Sequence, residues 1–268
     1  MLIDVDKLCY KSGKRYLLKN IQWQVNPGEH WLIFGMNGSG KTTLLSIIAG
    51  FKSQTSGSIK VYDQVYSSDN IFELRKKIGI VSSSLFDRIY KNESALEIVL
   101  SGVCGAFGLN FSINPDDVRL AKALLRELHI GDKIYQTYNT MSKGERQNVL
   151  IARALITKPE ILILDEPSSG LDLYARAHLA TTIEKLALSG KVTIIYVTHY
   201  PEEIPSYIQK AMLLRNGQIF AKGSVKDLLT STRITALLNK ETDVYIDADG
   251  IFHMKLDTTS DIYELCYE

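Results

Sequence analysis

Eight residues, Gly35-Met36-Asn37-Gly38-Ser39-Gly40-Lys41-Thr42, constrain this chain more than any other stretch. Their pattern, G-x-x-x-x-G-K-T, is that of a phosphate cradle. Glycines at 35, 38 and 40 admit backbone angles that a side chain forbids. Successive N–H groups can then point inward at an anion. Lys41 supplies a point charge for terminal phosphates, and the Thr42 hydroxyl suits a magnesium ion. The flanks agree. Residues 30–34 form an apolar run of buried-strand length, and residues 43–49 have helical propensity and stop at Gly50. Strand, glycine loop, helix is the context this pattern needs, and the helix N-terminus adds a favourable dipole. Asn37, Ser39 and Thr43 complete the candidate phosphate contacts.

Composition narrows the classes that can carry such a loop. A chain of 268 residues can hold one large α/β domain with a smaller subdomain. The net charge of +1 gives no bulk attraction to nucleic acid or anionic membrane. No apolar run approaches the roughly 18 residues that suggest a membrane span. The first residues carry acids where a signal peptide carries bases. Cys9, Cys104 and Cys266 form no C-x-x-C pair and read as reduced, buried thiols.

Residues 2–8 and 18–25 alternate in polarity like antiparallel strands, and residues 26–28, Asn-Pro-Gly, turn into the loop strand. Residues 56–62 read as another turn and strand, and residues 78–81 as a short buried strand. From about 86 to 140 the spacing turns helical, at 94–103 and 116–129, with Pro115 at a helix start. This stretch reads as a helical subdomain inserted into the α/β core. Residues 146–157 and 175–188 are further helices. Residues 161–164 and 192–197 are continuous apolar runs of buried parallel-strand type. After about 230 the pattern changes again. Residues 244–247 and 251–254 flank Asp249-Gly250 and read as a small β-hairpin, so 1–230 is one domain and 231–268 an extension.

Two more constellations carry chemistry. The apolar run 161–164 ends in Asp165-Glu166. A buried strand puts Asp165 beside the phosphate loop, where it can hold Mg²⁺. Glu166 then stands where it can take a proton from attacking water. Between the two motifs, Met141-Ser142-Lys143-Gly144-Glu145-Arg146-Gln147 opens a helix. Its free N–H groups, hydroxyl and positive dipole end form an anion site. Ser142 and Glu145 also fit a capping box, and both readings can hold together.

In order and spacing these stretches resemble the ATP-binding cassette (ABC) ATPases over about residues 2–229. There the segment at 141–145 is usually L-S-G-G-Q; here it is M-S-K-G-E. Arg146-Gln147, residues 151–155, the D-loop-like Ser168-Ser169-Gly170-Leu171-Asp172 and His199 after an apolar strand strengthen the likeness. The resemblance implies a P-loop NTPase core with a parallel sheet, an N-terminal antiparallel β subdomain and an inserted α-helical subdomain. It implies ATP and Mg²⁺, and two copies stacked head to tail. The loop of one copy and the Ser142–Gly144 segment of the other would close on one ATP. His199 would contact the γ-phosphate and orient the water or Glu166, and Asp172 would communicate across the interface. Lys41, Glu166 and His199 would carry hydrolysis. The implied partners are a second copy and transmembrane permease subunits in separate chains, with no nucleic acid. The implied place is cytoplasmic, peripheral on the inner face of the cell membrane.

The chain departs from the family at two points. The usual metal-side glutamine position falls on Ser83, whose hydroxyl has a shorter reach. The adenine-stacking aromatic position falls on Ser12, leaving Tyr10 or Tyr16 for stacking or for packing on the sheet. Residues 198–205, the serine triplet 82–84 and residues 213–217 resemble bacterial iron-complex or molybdate-type members. Two alternatives stay open: a family ATPase without a membrane partner, and a nucleotide-binding module with impaired hydrolysis. Against the first, residues 41–142 hold no heptads of a repair-type coiled coil, and the chain holds one cassette, not two. Against the second, Asp165 and Glu166 are both present.

Overall fold

Alternating polarity in the first 25 residues produces a hairpin in the computed structural model, which describes residues 1–86, 92–105 and 113–256. Strands β1 (Ile3–Ser12) and β2 (Arg15–Val25) pair antiparallel and bury Ile3, Val5, Leu8, Ile21 and Trp23. Both run longer than the sequence reading, because a turn with Gly13 at φ 59° lets Ser12 pair with Arg15. After β3 (Trp31–Phe34) and α1 (Lys41–Ile48), β4 (Ser56–Val61) and β5 (Gln64–Val65) complete a four-stranded sheet of order β2-β1-β4-β5.

Next come α2 (Ile71–Lys76), β6 (Ile78–Ser82) and α3 (Ser83–Phe86). The stretch read as helical contains α4 (Ala95–Ser101) and α5 (Pro115–Glu127). Each start has a local cause. Ser94 and Glu97 form a capping box, and the Asn114 side chain accepts from Asp116 N just before Pro115. Residues 87–91 and 106–112 of this stretch lie outside the described residues. Helix α6 (Lys143–Leu155) begins at Lys143, not at Arg146, because Ser142 caps it.

Then follow β7 (Ile161–Asp165), α7 (Leu173–Leu188), β8 (Thr193–Thr198), β9 (Lys210–Arg215) and β10 (Gln218–Ser224). The second sheet has the order β10-β9-β3-β8-β7-β6, parallel from β9 to β6 with β10 antiparallel at the edge. Strands β3, β6, β7 and β8 are buried at every residue, as continuous apolar runs between covering layers should be. Their register brings the carboxyl ends side by side: Phe34 opposite Thr198, Asp165 opposite Val197, and Ser82 opposite Asp165. Ligands of such sheets bind in the crevice beyond those ends.

The tail holds more than the expected hairpin. Helices α8 (Val225–Leu228) and α9 (Ser231–Leu238) precede the paired strands β11 (Thr242–Ile246) and β12 (Phe252–Leu256). The Asp247 carboxylate shapes the turn by accepting from Asp249 N and Ile251 N, and Gly250 takes φ 82°. Arg215 Nη1 donates to Ala236 O at 2.6 Å and ties α9 to the core. Cys9 and Cys104 are free and half-buried, less covered than expected, and Cys266 lies outside the described residues. No described helix is long and apolar enough to cross a membrane.

Gly79 marks a tight seam between β6 and α6. A Cβ there would lie 2.6 Å from Ala154 O and 2.9 Å from Pro159 Cγ. Gly79→Ala forces β6 away from the end of α6 and is expected to lower the unfolding free energy by about 1–3 kcal/mol. Urea denaturation measures it; an unchanged midpoint would mean that the seam has slack.

Candidate nucleotide site

The phosphate loop joins β3 to α1, and its shape depends on two close approaches. A Cβ on Gly35 would lie 2.3 Å from Leu214 O, and one on Gly40 would lie 2.8 Å from Leu18 Cδ2 and 2.9 Å from Leu17 O. Gly40 also takes φ 107°, which a side chain would strain. No side chain caps α1, so the first N–H groups of the helix face the loop without a capping partner. Gly217 N holds the loop from behind by donating to Ser39 O at 2.9 Å. The Lys41 ammonium curls into the loop and donates to Gly35 O at 2.7 Å and Met36 O at 3.2 Å. Lys41 is 6% exposed, and burial lowers its pKa, opposed by the charges of Glu166 and Asp165. A desolvated cation bonded to two neutral carbonyls, an uncapped helix end and a glycine cradle together fit a phosphate chain.

Asp165 ends β7 at the floor of this crevice. Its Oδ2 accepts from Thr42 Oγ1 at 3.0 Å and from Ser82 Oγ at 2.8 Å. Burial raises its pKa, partly offset by the Ser82 and Thr42 hydrogen bonds. Two hydroxyls around one carboxylate form a hard oxygen donor set that suits Mg²⁺. Ser82 was not among the sequence candidates. Its signal was positional: the first serine of the triplet is the last residue of β6, directly across from Asp165. Ser83, the sequence candidate for the metal, faces elsewhere. Its Oγ donates to Gln147 Oε1 at 2.9 Å, because Ser83 opens α3 and points at α6.

Glu166 and His199 lie side by side. His199 Nδ1 is 2.9 Å from Glu166 Oε1. Glu166 takes φ 52°, and its N–H donates to Val197 O at 2.9 Å, tying the carboxylate's backbone to the strand that delivers His199. A non-glycine residue at positive φ is strained, and such strain clusters at active sites.

Among the described residues, Ser142, Gly144 and Asp172 contact their own neighbours and make no hydrogen bond to the phosphate loop. The Ser142 hydroxyl accepts from Glu145 N, and Ser142 N donates to Glu145 Oε2, so the expected capping box forms. Gly144 lies against Leu171, and Lys143 Nζ donates to Ser169 Oγ at 3.2 Å across the D-loop-like segment. The exposed Asp172 caps α7 by accepting from Ala175 N at 2.8 Å. The two tyrosines differ in cover. Tyr10 packs against the core, whereas Tyr16 is 46% exposed with Lys11 Nζ 4.4 Å from its ring centroid. A cavity of about 470 Å³ opens beside the loop, lined by Arg15, Met36, Asn37, Gly38 and the end of α9. Sequence reading gave no hint of α9 there, because nothing local links residues 237–239 to residue 37.

Known proteins share this layout. The ABC transporter family model matches residues 18–169. The chain belongs to the ABC transporter family. YlmA of Bacillus subtilis (strain 168), an uncharacterized ABC transporter ATP-binding protein, is 38% identical over 254 residues, covering 94% of this cassette and 96% of its own length. A chain of an inward-facing ABC transporter, described as of metal-chelate type, superimposes with TM-score 0.73 at 25% identity, covering 98% of the cassette and 99% of that chain. The dimeric bacterial ABC transporter cassette MJ0796 does so with TM-score 0.73 at 25% identity, covering 84% and 99%.

The segment at 141–147 permits direct tests of its local electrostatics. Ser142→Ala is expected to lower the cassette's stability by about 1 kcal/mol. Lys133 bonds Glu145 Oε1 and holds that carboxyl below its ordinary range, helped by the Ser142 backbone. A depressed carboxylate contributes stability above its ordinary pKa and loses it as pH falls through the depressed value. The half-buried pair still reaches solvent and is partly screened, so its effect is small. Wild type is therefore expected to exceed Lys133→Met at neutral pH and to match it after full acidification. A difference that does not change with pH would remove the ion pair from this role.

Proposed function

We propose that this cassette is the ATP-hydrolysing subunit of an ABC transporter and that it works as a head-to-tail dimer beneath separate permease subunits. Family membership supports the ATP-binding role. The observation that carries hydrolysis is the alignment of Lys41, Asp165, Glu166 and His199 along one crevice, with Glu166 and His199 2.9 Å apart. In this reading Lys41, Asn37, Ser39 and the backbone of residues 35–43 bind the phosphates. Thr42, Asp165 and Ser82 would hold Mg²⁺, whose charge would offset that of the phosphates. Glu166 takes a proton from water while the water oxygen bonds to the γ-phosphorus, and the bond to the β-phosphate oxygen breaks to leave ADP. His199 orients Glu166 and the γ-phosphate. Lys41 offsets the charge that develops.

Two features support the second copy. Ser142 and Gly144 present a helix start that their own loop does not use. Leu173 and Tyr174, directly after Asp172, are 86% and 74% exposed, and large apolar side chains left bare in a patch mark a surface that a partner covers. Tyr16 is the better adenine platform, because its ring is open while Tyr10 is packed. Residues 1–230 act as one domain, with the helical insertion passing motion to the permease from the inner face of the membrane. The cargo is chosen by other subunits.

Glu166→Gln is expected to cut turnover by about 100-fold or more, the scale of a lost general base, while still binding ATP and forming a stable dimer. Lys41→Ala is expected to abolish nucleotide binding. Phosphate release and size-exclusion chromatography measure both. Undiminished turnover in Glu166→Gln would remove Glu166 from the role of base.

A further inference from the structure

Two adjacent hydroxyls at the end of β6 donate to different parts of the molecule. Ser82 is 1% exposed and donates to Asp165 Oδ2 at 2.8 Å. Ser83, the next residue, donates to Gln147 Oε1 at 2.9 Å. Gln147 is 2% exposed and lies on α6, the helix capped by Ser142. At 1.5 Å of rise per residue, it stands about 7 Å along the axis from that cap. A rigid helix therefore joins Gln147 to the segment at 141–145.

The Gln147 Nε2 is buried with no hydrogen-bond partner among the described residues. Flipping the amide only exchanges which of its atoms lacks one. A buried unpaired amide costs about 1–3 kcal/mol. Such a group is poised to gain a partner when its surroundings shift. Strand β6 ends at Ser82 and helix α3 begins at Ser83, so one peptide bond joins the two hydroxyl-bearing residues.

We propose that Ser82 and Ser83 form a two-hydroxyl relay. Ser82 senses the Asp165 site, and Ser83 passes its state through Gln147 to the start of α6. Ser83 is a positioning residue, acting through Gln147 and touching no nucleotide. The relay rests on the ATPase reading above.

The test uses the full chain with Glu166→Gln, so that turnover does not interfere. Hydrogen exchange is followed at amides 143–146, with ATP plus Mg²⁺ and with ATP plus chelator. The parent is expected to show a metal-dependent change there. Ser83→Ala and Gln147→Leu are each expected to lose that change, Ser83→Thr to restore it, and the double variant to behave like either single one. In the otherwise wild-type chain, Ser83→Ala is expected to lower kcat about tenfold with little change in KM. Metal-dependent exchange that survives in folded Ser83→Ala overturns the relay while leaving the ATPase reading intact. Fluorescent-nucleotide titration separates the two: a chain that binds no MgATP contradicts both.

Discussion

A buried carboxylate shared by three chain segments holds the site together. Asp165 would be unfavourable at the end of an apolar strand unless its charge were hydrogen-bonded or paired. Thr42 from α1 and Ser82 from β6 both donate to the same oxygen, and Lys41 lies close enough to feel its charge. Satisfying that one group therefore locks β3–α1, β6 and β7 in register. Parallel pairing then delivers Glu166 and His199 alongside without further devices, since Asp165 pairs with Val197. The same need holds Lys41, which has only loop carbonyls until phosphates bring negative charge.

Features set by contiguous residues were legible in the sequence. The phosphate loop, the strand ending in Asp165-Glu166 and the Ser142–Glu145 box all depend on neighbours along the chain, and each stands where its pattern pointed. The hairpin around Asp249-Gly250 follows from turn chemistry alone. Features set by pairing between distant segments were less legible. Choosing Ser82 over Ser83 requires knowing where β6 stops, and a one-residue shift turns a side chain to the other face. The closeness of α9 to the phosphate loop depends on Arg215 reaching Ala236, a contact with no local signal. The half-burial of Cys9 and Cys104 likewise depends on packing that composition does not encode.

The unusual residues of this cassette stand at helix starts, Ser83 opening α3 and Lys143 opening α6. Lys143 replaces a small residue at the start of α6 and reaches Ser169, so the helix start and the D-loop-like segment are tied within one chain. Ser83 replaces a long amide and borrows Gln147 instead. Both residues make their contacts inside the chain. The helix beginning at Ser142 carries both contacts, and among the described residues no hydrogen bond joins its start to the phosphate loop.

The proposed sharing of one site between two chains is the central claim, and mixing two inactive variants tests it most directly. Lys41→Ala removes the phosphate loop's cation, and Gly144→Asp places a negative charge at the helix start opposite. Each is expected to be inactive alone. In a mixed dimer, the Gly144→Asp chain contributes an intact loop and the Lys41→Ala chain an intact helix start, completing one site. ATP turnover is expected to appear when the two inactive proteins are combined. A mixture as inactive as its components would contradict a site built from two chains.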